Sequence, residues 1–403
     1  MDWNDSPEQS AFRAEVRALL DTELPERYKR MAAEGGPGER QWEFDRKSDD
    51  PAARQAAADW AAALGERGWI APQWPKEYGG AGLSAMEQFV LNQELARAGT
   101  PGAGGSGVSL LGPTLIVHGT EEQRLKYLPP ILAGEMAWAQ GYSEPSAGSD
   151  LASLQTRAVR DGDEYVINGQ KIWTSGAHTA DAIFALVRTD PTAPKHRGIS
   201  FILIEDIHTP GLTVRPLIDM GGRHYFNETF FEDVRVPARN LVGEENRGWY
   251  VGMTLLDFER SNIGGAVAAR RTISRLLDAV RGDEAGSAAR VAGGAVRGEI
   301  ADRYIESEVM FQFSFRIISM QHRGLVPNYE ASTSKLFNSE LSQRLSLTAT
   351  RAFGLHANRW EDDVPAAAFT HGYVASVPAT IRGGTSEVQR NVIATRGLGL
   401  PRG

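Results

Sequence analysis

A chain of 403 residues exceeds what one hydrophobic core usually organises, so two or three domains are expected, and 41% apolar residues are enough to fill them. The formal net charge of −8 argues against nucleic acid or an anionic membrane as a partner, and the absence of cysteine excludes a disulfide framework, a thiolate metal site and a Cys nucleophile. No apolar run approaches the roughly 20 residues of a membrane span, and Met1-Asp-Trp-Asn-Asp-Ser-Pro7 carries no basic-then-apolar signal, so a cytoplasmic location is expected.

From the N-terminus, Phe12, Val16, Leu19 and Leu20 fall at helical spacing after the start signal Ser6-Pro7, which predicts a helix over 8–20. Glu34 to Gly38 reads as loop, and Ala52 to Leu64 as an alanine-rich helix. Two prolines and a Gly pair keep Trp69 to Gly80 from staying helical, leaving a shaped loop with three aromatics that read as buried. Ser84-Ala-Met-Glu87 is a capping box opening a helix to about Ala98, and Thr120-Glu-Glu-Gln123 opens another. Between them Gly102 to Gly107 formally matches the dinucleotide pattern G-x-G-x-x-G. That mechanism needs a strand before the first Gly, and the segment here is helical and ends in Gly99-Thr-Pro101, so the match is rejected. Residues 1–136 are expected to form a helical domain.

From 137 to 240 the texture changes to short β-branched or alternating runs, Ala182 to Val187, Gly198 to Ile204 and Thr229 to Val236, separated by Gly/Pro/Asp turns. They predict a compact antiparallel sheet domain, barrel-like. Gln140 to Asp150 reads as a hydroxyl-rich loop around Pro145 and Gly148. Asp161-Gly162 and Asn168-Gly169 both read as tight turns, and Asn168 to Gly176 as the strand facing that loop. Over 241–403 strands disappear. Ile300, Tyr304, Phe311, Phe315 and Ile318 form one apolar helix stripe, and Phe337, Leu341, Leu345, Thr348 and Ala352 another that stops at Gly354, which predicts an antiparallel four-helix bundle. The fold class is therefore α+β, and the Gly/Ala/Ser-rich Asp283 to Gly294 reads as a connection. The eight His are scattered, none at i,i+4 with a carboxylate, so no metal site is expected.

On composition alone, the loop facing Trp173, Thr174 and Ser175 is either an ordinary turn with a half-buried Trp or a cradle for a planar, hydrogen-bonding heterocycle. The order of residues adds a resemblance. Ser143-Glu-Pro-x-Ala-Gly-Ser-Asp150, followed by Asn168-Gly-x-Lys-x-Trp-x-Ser175, resembles the signature of the flavin-dependent acyl-CoA dehydrogenases, and the succession helical domain, sheet domain, helical bundle is similar to theirs.

The resemblance implies FAD as cofactor and an acyl-CoA thioester as substrate: a carboxylate takes the α proton while flavin N5 takes the β hydride. Carried over by motif, Gln140, Tyr142, Ser143, Trp173, Thr174 and Ser175 would contact the flavin, Ser175 near N5, and Ser149 the CoA portion. For Ser149 and Asp150 a local Asx-type loop bond is the competing reading. Gly384, Thr385 and Glu387 match the segment on the flavin's adenosine and pyrophosphate side, with Glu387 where a neutral amide is common. The usual base position, before Gly-Thr, is Gly383 here and can abstract nothing. The second family position, as in isovaleryl-CoA dehydrogenases, falls on Glu259, with Arg260 beside it facing substrate. Burial there would raise the carboxyl towards the working pH, whereas the bland reading is a surface pair with Arg. Arg382 replaces an aromatic and is either a polar wall of the acyl pocket or a surface pair.

No Arg-x-x-Phe-Gly element follows Arg270-Arg271. With Phe226-Asn-Glu228 and Gly383-Gly384, this resembles subunits of bacterial heteromeric dehydrogenases, including those acting on steroid side chains. The implied partners are an electron-transfer flavoprotein and a same-family subunit in a homo- or hetero-oligomer, a dimer of dimers. An oxygen-using flavin enzyme or a non-catalytic partner subunit are the alternatives.

Overall fold

The computed structural model describes residues 5–34, 40–254, 263–361 and 366–401. They form two compact units, one of Met1–Ala18, Ser84–Ala98 and Arg260–Gly403, the other of Leu19–Leu83 and Gly99–Glu259.

Local signals account for the early helices. α1 (Pro7–Glu23) starts at Ser6-Pro7 and is followed by α2 (Glu26–Glu34), α3 (Gln41–Arg46) and α4 (Pro51–Gly65). Asp50 caps α4 by accepting from Ala52 N at 2.9 Å, with Pro51 at the first helical position. α5 (Ala85–Ala98) and α7 (Glu121–Leu132), on either side of α6 (Gly112–His118), open with reciprocal capping boxes at Ser84/Glu87 and Thr120/Gln123. In the shaped loop Trp69 and Trp74 are buried, while Tyr78 is half-buried in a 3₁₀ turn. Gly102 to Gly107 follows helix and leads into a π-helical turn, Gly107–Leu111, so it lacks the strand that dinucleotide binding requires.

The sheet has eight strands: β1 (Trp138–Gly141), β2 (Arg157–Asp161), β3 (Glu164–Lys171), β4 (Ala182–Arg188), β5 (Ile199–Ile204), β6 (Leu212–Ile218), β7 (His224–Pro237) and β8 (Leu241–Val242). Their order is β6-β7-β3-β2-β4-β5-β8, with β1 also on β4. The sheet is mixed rather than wholly antiparallel: β1 runs parallel to β4, and β2 meets β4 in parallel at Arg157 and Arg188. That single junction divides it into β1-β4-β5-β8 and β2-β3-β7-β6, which close over one core. Ile183, Ala185 and Val187 of β4 and Ile202 and Ile204 of β5 pack there with Tyr165, Ile167, Phe231, Val234 and Val236. β4 and β5 are buried on both faces, so they read as continuous apolar runs. Each of their Val, Leu, Ile and Phe side chains contributes about 1.5–3 kcal/mol.

Three expectations are corrected here. Gln140 lies in β1 rather than in a loop, and a two-residue strand, β8, persists at 241–242. Asp161-Gly162 does turn the β2–β3 hairpin, but Asn168-Gly169 lies inside β3, where the register against β7 shifts. Gly169 has φ 146°, and a Cβ there would stand 2.7 Å from Thr156 Cα, so the glycine serves a bulge and a close strand approach. Asn168 exchanges two hydrogen bonds with Asp233, itself at φ 52°, across the irregularity.

After α8 (Gly248–Thr254) come α9 (Ile263–Arg281), α10 (Ser287–Ala292), α11 (Ala295–His322), α12 (Tyr329–Phe353), α13 (Ala367–Ser376) and α14 (Ser386–Val392). One core cluster joins the start of α9 (Ile263, Ala266, Val267) to the later half of α11 (Met310, Phe311, Ile318), Leu341 of α12 and Phe89 of α5. A second joins the end of α9 (Leu276, Ala279) to the start of α11 (Ile300), the end of α12 (Ala349, Ala352, Phe353) and Phe369 of α13. Helices α9 and α11, and α11 and α12, therefore run antiparallel. Tyr304, expected in the stripe, is instead 53% exposed. α12 ends at Gly354, φ 56°. No helix of the described residues is long and apolar enough to cross a membrane.

Candidate active site

The two motif arms meet where β1 and β3 end. Ile172 N donates to Ser143 O at 2.9 Å, which sets the loop beside the turn that carries Trp173. Beneath this contact Lys171, wholly buried, donates to Glu144 Oε1 at 2.8 Å and to Tyr142 O at 3.1 Å. Glu144 also accepts from Gln155 N at 2.6 Å and Thr156 N at 2.8 Å. Burial pushes the Glu144 carboxyl up, and Lys171 with these N–H groups reverses that, leaving it below its ordinary value. Burial pushes the Lys171 ammonium down, and Glu144 restores it only to about 8. The ion pair welds the loop to the strand.

Trp173 is 55% exposed, meets Phe226 edge-on at 5.5 Å, and sits at φ 60°. That left-handed conformation costs a bulky aromatic about 1–3 kcal/mol and persists only where its surroundings enforce it. Ser175 is half-buried, and its hydroxyl reaches Trp173 O at 3.4 Å. Thr174 is engaged internally: its N–H donates to Asn227 O at 3.0 Å, and its hydroxyl accepts from Thr229 at 2.8 Å. Gln140 and Ser143 are half-buried at the same edge. Tyr142 turns its ring inward against Phe184 and Phe201, at 6.0 and 6.4 Å, and burial pushes its hydroxyl pKa up. Ser149 is exposed, whereas Asp150 makes the local bond, accepting from Ser153 Oγ at 2.6 Å and pairing with Lys195.

In the bundle unit Gly383 and Gly384 take φ 64° and 89°, and Thr385 caps α14 by accepting from Val388 N at 3.2 Å. Lys335 Nζ donates to Gly384 O at 2.5 Å. Burial, then the charge of Arg382, hold its ammonium below the ordinary value. A cavity of about 450 Å³ opens beside this loop, lined by Gln343, Arg344, Ile381, Thr385 and Glu387. Arg382 and Glu387 are exposed. Glu259 and Arg260 lie outside the described residues. Sequence reasoning missed the Glu144–Lys171 pair and the part played by Asn227. Neither leaves a local signal, since their partners lie 27 and 53 residues away.

The edge beside β1 and β3, an open indole face with small hydroxyls on both arms, suits a planar, hydrogen-bonding cofactor, and in the bundle unit the Gly383–Gly384 turn can by itself approach a phosphate. Models of the acyl-CoA dehydrogenase N-terminal, middle and C-terminal domains match residues 6–135, 139–234 and 246–398. The chain belongs to the acyl-CoA dehydrogenase family. The Mycobacterium tuberculosis acyl-CoA dehydrogenase IpdE1 is 36% identical over 97% of both chains. Two solved structures match 100% of this chain and of their own: a Tcur3481-Tcur3483 steroid acyl-CoA dehydrogenase (TM-score 0.83, 38% identity) and the M. tuberculosis ChsE4-ChsE5 complex (TM-score 0.82, 33% identity). As an acyl-CoA dehydrogenase the protein is a flavoprotein oxidoreductase of lipid metabolism, and its cofactor is FAD.

Proposed function

We propose that the protein desaturates an acyl-CoA thioester between its α and β carbons and passes the electrons to an electron-transfer flavoprotein. The observation carrying this reading is the juxtaposition of Ser143 with the Trp173 turn, which presents an indole face and two hydroxyls at one edge. FAD, when bound, accepts the hydride. Glu259 removes the α proton, being the carboxylate at one family position where Gly383 fills the other. Arg260 and Arg382 border the acyl group, and Ser149 the CoA. Three domains divide this work, a helical one over 1–136, a sheet domain over 137–240 and a helical bundle over 241–403. The acyl group is bulky and steroid-derived, a reading supported by the likeness to the Tcur3481-Tcur3483 steroid acyl-CoA dehydrogenase.

The site is completed by a same-family subunit. Arg290, in the region where an outward arginine element is missing, donates inward to Ala352 O at 2.8 Å and to Ala285 O. A non-catalytic partner role is the second reading, favoured by Gly383, and loss of FAD even from the complex would select it.

Anaerobic titration with a panel of CoA thioesters, steroid-derived and straight-chain, tests the main reading through bleaching of flavin absorbance. Glu259→Gln is expected to slow bleaching by a factor on the order of 10³ while leaving FAD content intact. A near wild-type rate sinks the assignment.

A further inference from the structure

We propose that Asn227, locked by the stacked pair His178 and His224, is the positioning residue that holds the strained Trp173–Ser175 turn in place for the cofactor. This rests on the reading that the turn meets the flavin.

Asn227 has no exposed surface and grips the Thr174 peptide from both sides. Its backbone O accepts from Thr174 N at 3.0 Å, and its side-chain Nδ2 donates to Thr174 O at 3.0 Å. A residue so held cannot rotate the φ of its neighbour out of the left-handed region without breaking buried hydrogen bonds. Thr229 on the hydroxyl and Gly176 N on Tyr225 O at 3.0 Å pin the following residues to the same strand, β7.

One obligate acceptor fixes every proton in the network. Thr174 O can only accept, so the amide nitrogen of Asn227 faces it and Oδ1 faces the other way. The second N–H of that amide points at His178 Nδ1, 3.1 Å away, which must carry a lone pair. Oδ1 lies 2.8 Å from His224 Nε2, which must carry a proton. The two rings stack at 3.8 Å between centroids, with Phe44 stacked at 5.6 Å on His178. A proton added to His178 Nδ1 would face the Asn227 N–H and break the grip. The charged groups facing the pair are Arg40, with its partner Glu43, and the two imidazoles themselves. Burial first, then the charges of His224 and Arg40, hold His178 below its ordinary value, and the exposed edge of the ring lets solvent screen part of this. The lock is therefore closed at neutral pH. It loosens as pH falls from the ordinary histidine value towards the lowered one.

The test is hydrogen exchange at the Thr174 amide, normalised to its intrinsic rate, in the purified chain with any subunit that accompanies it, alongside FAD affinity. Asn227→Ala is expected to speed exchange at Thr174 about tenfold while β4 and β5 keep their protection, and to weaken FAD binding by a similar factor. Asn227→Asp keeps an acceptor for His224 but sets a carboxylate oxygen against Thr174 O, which can only accept, so it should speed exchange at Thr174 at least as much as Asn227→Ala. Unchanged exchange in Asn227→Ala overturns the proposal. So does faster exchange with unchanged FAD affinity, because the grip then serves only the fold. Trp173→Ala separates the two claims: if it leaves FAD affinity unchanged, the assignment of the turn to the flavin fails, and the exchange data still decide the lock.

Discussion

Lys171 shows what a single residue does beneath the site. Its ammonium and the Glu144 carboxylate are both out of water, so each is tolerable only because the other is present. Lys171→Met leaves a buried carboxylate with two backbone donors and no counter-charge, and should cost about 3–5 kcal/mol in urea denaturation. Adding Glu144→Gln removes the stranded charge while keeping an acceptor for Gln155 N or Thr156 N, and should recover at least half of that loss. If the double variant is no more stable than the single one, the pair is not what holds the loop. The open face of Trp173 was legible in the sequence, because an indole among Ser, Thr and Gly has little apolar company. Glu144 and Lys171 were not, since they read as ordinary members of a polar loop and an alternating strand until the fold brings them together.

At the scale of elements, capping chemistry carried over best: Ser84/Glu87, Thr120/Gln123 and the stop at Gly354 all stand where side-chain spacing placed them, because caps are decided within four residues. Strand pairing is decided at a distance, and there the sequence was a weaker guide. Asn168-Gly169 has the composition of a tight turn, yet Asp161-Gly162 already closes the hairpin and the second pair is used for a bulge. β1 and β6 went unseen, one lying inside a stretch dominated by loop residues and the other offering polar positions on a half-exposed strand. The same local logic gives Thr385 a second duty. Whatever its part in the proposed cofactor site, it caps the seven-residue helix α14 by accepting from Val388 N. Thr385→Ala should cost α14 about 1 kcal/mol and loosen the Gly383–Gly384 turn, whereas Thr385→Ser keeps the hydroxyl and should behave as wild type. Faster exchange at Val388 N in the Ala variant alone is the expected readout, and equal exchange in both would remove capping as the cause.

Taken whole, the molecule carries features of a chain that works in company. Ile305 and Val309, one turn apart on α11, are 60% and 39% exposed, and Leu347 of α12 is 39% exposed, more apolar surface on long helices than a solitary bundle usually leaves in water. On the family resemblance Gly383 falls at one of the two expected base positions, and Arg290 is turned into the bundle unit. On the reading proposed above, each chain then brings part of a flavin site and depends on a same-family subunit for the rest, so flavin content should report assembly. Purified alone, the chain should retain well under one FAD per polypeptide and bind added FAD weakly. Purified with a same-family partner, it should form a mixed oligomer with fewer flavins than chains, counted by flavin absorbance against protein mass and by native mass spectrometry. The stoichiometry is decisive because it does not depend on knowing the acyl group. One tightly held FAD in every chain of a homomeric preparation would mean that the missing arginine element is supplied within this chain after all, and the partner would no longer be required.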